Sequence, residues 1–313
     1  FIPLLKKGVV RLRFKGIFKI PNLKEIIPFG IYSSLNSLSS SIPLRIDLFM
    51  IPLLLNKESA LFFTGIYAIS AFLTNVVEIP KRSIFSLFSS LSAKHLAEKN
   101  IAGLQNSFIA AIKYNLILTS VLIICLCSNL EEIFTLMPNK ETFIQGIGVV
   151  YIFSASKFIQ ALFGPANLVI INSDYYKKDL QINLFLSFLV IILNYVFIPI
   201  LGIIGAALAS FISILTYCLL RAAVLKYKLG IQTLTKSNLY ISLLFILFVI
   251  IGVMINNQIL AETKTQAFLF IILKSVLLGG AFVLLLVIFK ISPDFNTKIN
   301  ELLNKLLNYR LKS

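Results

Sequence analysis

Long apolar runs alternate along the chain with short polar breaks. Eight such runs, near 28–54, 60–80, 106–128, 143–171, 180–200, 203–224, 238–256 and 267–289, each approach or exceed the roughly 20 residues a helix needs to cross about 30 Å of hydrocarbon. The runs are continuously apolar and lack the period-two alternation of barrel strands, so their backbone groups are expected to pair within helices. The pattern predicts an all-α membrane protein, a polytopic bundle of about eight transmembrane helices. Two amphipathic pieces stand apart. The stretch 91–104, with Lys94, His95, Glu98 and Lys99, reads as a short interfacial helix between two spans. The stretch 292–313 gathers Leu302, Leu303, Leu306 and Leu307 on one helical face between Lys298, Lys305 and Arg310, as in a helix lying on a membrane surface.

Composition agrees with the pattern. Of 313 residues, 58% are apolar, against about 45–50% in soluble domains, and mean hydropathy is +0.91. The 29 Lys and Arg against 13 Asp and Glu give a net charge of +16. They are not interleaved with aromatics as a strand-binding groove requires, so no nucleic acid is implied. The side of each break on which these cations fall fixes the topology. Only Lys57, Lys140 and Lys264 fall on one side, Arg45, Lys113, Lys157 and Lys274 fall within spans, and the other 22 fall on the opposite side or in the end segments. That bias over short loops places both ends of the chain in the cytoplasm. Because the first residue is Phe1 and no short basic, apolar and small-residue leader opens the chain, it reads as part of a longer protein.

Charges within hydrocarbon cost about 2.5–3.5 kcal/mol each on insertion scales and usually face a bundle interior or water. Lys157 is too deep in its span to snorkel, and Arg45 lies well inside the first run. With Lys113 and Lys274, which are nearer to span ends, they are candidates for a cationic, substrate-binding lumen. Asp47 and Glu78 are supporting polar residues. Asp47 is two positions from Arg45, on the opposite side of a helix, so the two are not expected to pair. Glu78 stands beside Lys81 and Arg82. Pro43, Pro80, Pro165, Gly202 and Gly205 are hinge candidates, since proline removes a backbone donor and glycine tolerates a break.

Catalytic machinery is not visible. The chain has no P-loop, no Gly-x-Ser-x-Gly elbow, no Asp-x-Asp pair and a single histidine, His95. Cys125, Cys127 and Cys218 lie in apolar runs as small hydrophobes, so neither a metal nor another cofactor is implied.

The wording of two segments carries a resemblance. RIDLFMIPLLL (45–55) with FFTGIYAISAFLTNVVEIPKRSIFSLFSSLSAKHLAEKN (62–100) resembles the seventh and eighth helices of the polysaccharide-export flippases of the multidrug/oligosaccharidyl-lipid/polysaccharide (MOP) superfamily. LNYVFIPILGIIGAALAS (193–210) is similar to that family's junction between helices eleven and twelve. The chain departs from the family at FSSLS (88–92), where a proline is common. The resemblance implies a MATE/MOP-like second lobe, with a basic inter-lobe segment at 1–25, a six-helix lobe at 26–230, two additional helices at 231–291 and a cytoplasmic amphipathic tail at 292–313. It also implies export of undecaprenyl-pyrophosphate-linked oligosaccharide across the bacterial inner membrane by alternating access, for surface polysaccharide or lipopolysaccharide. Membrane lipid, a polysaccharide polymerase and other glycan-assembly proteins are its implied partners. A cation-coupled multidrug exporter of the same fold, whose lumen should be apolar or acidic, and a noncatalytic membrane scaffold for glycan assembly are the competing readings.

Overall fold

The computed structural model describes residues 45–55, 60–258 and 263–289, together with scattered positions between 27 and 39. The expectations for Pro43, the basic segment 1–25 and the tail 292–313 lie outside them. The described part is helical, with no strand among the described residues. The elements are α1 (Ile46–Leu54), α2 (Ala60–Asn75), α3 (Ile79–Ala97), α4 (Ile101–Cys127), α5 (Leu130–Leu136), α6 (Lys140–Phe143), α7 (Ile147–Phe163), α8 (Ala166–Ile171), α9 (Tyr176–Leu229), α10 (Lys236–Gln258), α11 (Lys264–Lys274) and α12 (Gly280–Ile288). A 3₁₀ turn, Val76–Glu78, joins α2 to α3, and a π-helical turn, Ser275–Gly279, joins α11 to α12. Among the described residues, six helical stretches are long and apolar enough to cross a membrane: Ala60–Ala97, Ile101–Cys127, Lys140–Phe163, Tyr176–Leu229, Lys236–Asn256 and Lys264–Ile288.

Local sequence sets the breaks. Pro80 cannot donate to the carbonyl of Val76, and the helix tightens into the 3₁₀ turn at that point. Residues 91–97, expected in a separate interfacial helix, instead continue α3. The chain turns at Glu98–Asn100, where the Asn100 side chain accepts from the Gly103 N–H at 2.8 Å and caps α4. The apolar run 143–171 is likewise interrupted. Gly164 adopts φ +64° and Pro165 heads α8, so this stretch is two helices.

The 54 residues of α9 would measure about 80 Å as one rod. They are instead a hairpin. Gly202 takes φ +60° and ψ −137°, and a Cβ placed on Gly205 would stand 2.2 Å from the carbonyl oxygen of Phe197. Asn194 and Ser210, about 24 Å apart on a straight helix, both hydrogen-bond to Asp47. Arg221 of the return limb likewise meets Asn183 of the outgoing limb at 3.1 Å. The sequence expectation of separate runs at 180–200 and 203–224 corresponds to these limbs.

The bundle buries polar groups together with an apolar core and also turns large apolar side chains outward, as lipid-facing helices do: Leu53, Leu61, Phe72, Phe188 and Ile200 are exposed. One interior cluster joins Leu116, Ile117 and Ile124 of α4 and Phe158 of α7 to Ile241, Phe245 and Phe248 of α10 and Phe282 of α12. The last helices therefore share a core with the rest, and Phe158 stacks on Phe245 with centroids 3.9 Å apart.

Candidate functional site

Four polar nodes are distributed along the bundle between its Gly202 end and its Gly230 end. Near the Gly202 end, Asp47 is buried at 4% exposure. Tyr67 Oη donates to its carboxylate at 2.6 Å, Ser210 Oγ and Asn194 Nδ2 each at 2.5 Å. Helices α1 and α2 and both limbs of α9 thus meet on one carboxylate, and no Lys or Arg among the described residues pairs with it. At this same end Lys274, which the sequence places among the lumen candidates, is buried against Glu132 of α5 in a 2.5 Å ion pair. Turning the Asn256 amide adds hydrogen bonds from it to Glu132 at 3.1 Å and to the Ser128 carbonyl at 3.2 Å. Asn129 of the α4–α5 turn donates to Ser275 at 3.1 Å. Lys274 thereby fastens α11 to α5, and the Asn129–Ser275 bond ties the same region to the end of α4.

Eleven residues beyond Tyr67 along the α2–α3 rod, about 16 Å towards the Gly230 end, stands Glu78. Its Oε1 receives Lys157 of α7 at 2.7 Å and Lys81 of α3 at 3.6 Å. Lys157 also donates to Asn75 Oδ1 at 3.3 Å, and Lys81 to Gln160 at 3.2 Å. Lys157 is therefore deep but compensated. Glu78 is close enough because the 3₁₀ turn ahead of Pro80 ends on it, at the level of the α7 segment bearing Lys157. Asn115 and Thr119 of α4 line the narrow cleft beside this node. Lys113 is half-buried on the same helix.

The fourth node lies nearest the Gly230 end. Asp179 is fully buried and accepts from Arg221 Nε at 2.8 Å, Asn36 Nδ2 at 2.9 Å and Asn183 Nδ2 at 3.3 Å. Between it and Glu78 is a cavity of about 120 Å³ lined by Lys81, Gln160, Asn167, Tyr217 and Arg221.

The sequence-selected cations are not brought together. Arg45 sits exposed at the start of α1, at the level of the Asp47 node, and does not line the cleft that holds Lys157. Lys274 is held at the Gly202 end by Glu132. What converges instead is Lys81, Lys157 and Arg221 around Glu78 and Asp179, three cations to two carboxylates. Lys81 lies just past the run 60–80 and Arg221 near the end of the run 203–224, and neither is among the cations that the sequence selects. The signal available for them was weak: Lys81 follows Glu78 by three residues, one helical turn, and Arg221 closes the apolar run of the return limb. Asn194 and Ser210 had no signal beyond being polar inside an apolar run. Of the hinge candidates, Pro80, Pro165, Gly202 and Gly205 all sit at helix breaks or their close contacts.

No protein-family model matches the chain, and neither a curated protein nor a solved structure matches it.

Proposed function

We propose that the protein exports an anionic, lipid-linked oligosaccharide, an undecaprenyl-pyrophosphate glycan, by alternating access in a bacterial inner membrane. The observation that carries this reading is the convergence of Lys81, Lys157 and Arg221 on only two carboxylates beside a polar cavity. Excess positive charge in a low-dielectric interior attracts a diphosphate and repels a cation. The resemblance of 45–100 and 193–210 to the polysaccharide-export flippases supports the same cargo. On this reading the chain is a MATE/MOP-like second lobe with two further helices, about eight spans and both ends cytoplasmic.

Deleting the gene should leave lipid-linked sugar repeats on the cytoplasmic leaflet while their synthesis continues. Normal surface glycan in a deletion strain with no other flippase would refute the proposal. Lys157→Arg should keep much of the export and Lys157→Gln should lose most of it, both at normal membrane levels, because only arginine preserves the charge. Full surface glycan with Gln would make Lys157 a structural partner of Glu78.

Asp47 favours a second reading, a cation-coupled exporter. It is a buried carboxylate surrounded by neutral donors, and the adjacent Asn194 Oδ1 has no partner among the described residues. Efflux of a cationic dye that is lost in Asp47→Asn, in cells whose surface glycan stays normal, would select this reading over the first.

A further inference from the structure

The cavity between α3, α7, α8 and the return limb of α9 holds two cations in different states. The Lys81 ammonium is engaged by Gln160 at 3.2 Å and Glu78 at 3.6 Å. The Arg221 guanidinium lies 4.7 Å over the Tyr217 ring, gives Nε to Asp179 at 2.8 Å and gives Nη2 to Asn183 at 3.1 Å. Its Nη1 has no hydrogen bond to any described residue, although Arg221 and Tyr217 both line the cavity. A guanidinium carries five N–H donors in a planar fork that matches two oxygens of one carboxylate or phosphate. Asp179 does not take that fork, because its second oxygen is occupied by Asn36 and Asn183. Arg221 is thus fixed by stacking and by two bonds, with donor capacity left over.

We propose that Arg221 is shared between Asp179 and a phosphoryl group of the cargo, which enters this cavity and takes Nη1 of Arg221 together with the ammonium of Lys81. This rests on the anionic-cargo reading above and adds to it a place and a consequence. At about 120 Å³ the cavity admits one phosphoryl group and excludes a sugar chain or a lipid tail. A dianion meeting the unsatisfied fork forms charge-assisted bonds and draws Arg221 away from Asp179. The consequence follows from what Asp179 holds. Asn183 donates to Asn36 at 2.8 Å and Ser187 donates to the Ser39 carbonyl at 3.1 Å, while Tyr32 packs edge-on against Tyr176 with centroids 5.7 Å apart. Asp179 and Asn183 thus help to tie the outgoing limb of α9 to the chain around Tyr32, Asn36 and Ser39, and Arg221 is the cation that holds both of them in place. Weakening the Arg221–Asp179 pair leaves a buried carboxylate short of its cation, and that contact loosens. Occupancy of the cavity is coupled in this way to a helix contact, with the ligand's preference for the loosened form setting how far the population shifts.

The test uses the full-length protein in nanodiscs of neutral phosphatidylcholine, with Cys125, Cys127 and Cys218 replaced by Ala and the pair Tyr32→Cys and Tyr176→Cys introduced. Inorganic pyrophosphate is the probe, its binding followed by thermal shift and the helix contact by the rate of the 32–176 cross-link. Pyrophosphate should bind saturably and slow the cross-link several-fold. Lys81→Gln and Arg221→Lys should each weaken binding about tenfold, since one removes a charge and the other the fork. Lys81→Gln leaves the Asp179 cluster intact, so it tests the cavity even if Arg221→Lys assembles poorly. Binding with an unchanged cross-link rate would overturn the sharing of Arg221 and leave the anionic-cargo reading standing. Absence of binding would overturn the cavity as the phosphoryl site, whereas the anionic-cargo reading stands or falls separately on the surface glycan of the deletion strain. A slowed cross-link on adding phosphatidylglycerol alone, with no pyrophosphate, would assign the site to membrane lipid and overturn its role for cargo.

Discussion

Asp47 of α1 stands at the level of Tyr67, and Glu78 lies about 16 Å further along the α2–α3 rod; the bundle accommodates the two carboxylates by opposite means. Asp47 is satisfied by a phenol, an amide and a hydroxyl drawn from α2 and both limbs of α9. Glu78 is satisfied by two ammoniums from α3 and α7 and remains partly exposed, with 26% of its side chain accessible. Taking a charge out of water costs several kcal/mol unless bonds or an opposite charge replace the lost hydration. Where helices pack closely around a hairpin, short neutral donors reach the carboxylate. Where a cavity keeps them apart, long lysines span the gap. The first arrangement locks helices together; the second keeps two ammonium groups beside a polar space. On the proposed reading the first is structural charge and the second is charge available to a ligand.

That separation can be broken at several points. Asp47→Ala has the largest expected effect, because it leaves three buried donors, on α2 and both limbs of α9, without their acceptor, each unsatisfied group costing about 1–3 kcal/mol. A loss of about 3 kcal/mol in denaturant unfolding is expected, and a loss below 1 would mean that the donors find other partners. Gly205→Ala comes next. Its methyl group would meet the Phe197 backbone at 2.2 Å, and overpacking of this kind costs about 1–3 kcal/mol. It should disturb the Asp47 node and spare the Glu78 node. Thiol labelling of a cysteine at 160, beside Lys157, should therefore keep its parent rate, and a changed rate would show that the two nodes are not independent.

Smaller effects sharpen the comparison. A double-mutant cycle on Glu78→Gln and Lys157→Gln should give a coupling of about 1–2 kcal/mol, below that of a fully buried pair because 26% and 13% of the two side chains are accessible. Coupling near zero would make the 2.7 Å pair incidental. The smallest change is expected at Lys94→Gln, since the Lys94–Glu98 pair is 3.9 Å apart with side chains 66% and 52% exposed. Its removal should alter stability by less than about 0.5 kcal/mol, and a larger loss would contradict the assumption that only interior charges matter.

Most of the helical architecture was legible in the apolar runs, because a backbone in hydrocarbon has few alternatives to the helix. Element ends were less so. In the run 143–171 Pro165 marks a hinge, but the residue pattern does not show that the run divides into two helices through a positive φ at Gly164, and the stretch 91–104 reads as a separate helix although residues 91–97 continue α3. Glu132 lies in the break between the runs 106–128 and 143–171, and only the docking of α5 brings it to Lys274.

Hydropathy by itself determined that this chain forms long apolar helices, and the residue pattern marked Lys157, Glu78, Asp47, Pro80, Pro165 and Gly202 as departures that needed an explanation. Desolvation cost is a property of each residue type, so it is visible one position at a time. The tertiary structure alone decided which partners meet that cost. Gly202 folds α9 back so that Asn194 and Ser210 reach one carboxylate, the 3₁₀ turn before Pro80 sets Glu78 against Lys157, and Arg221 meets Asp179 across 42 residues. Pairing depends on distances between helices, which are fixed by the packing of whole surfaces and are not written at any single position.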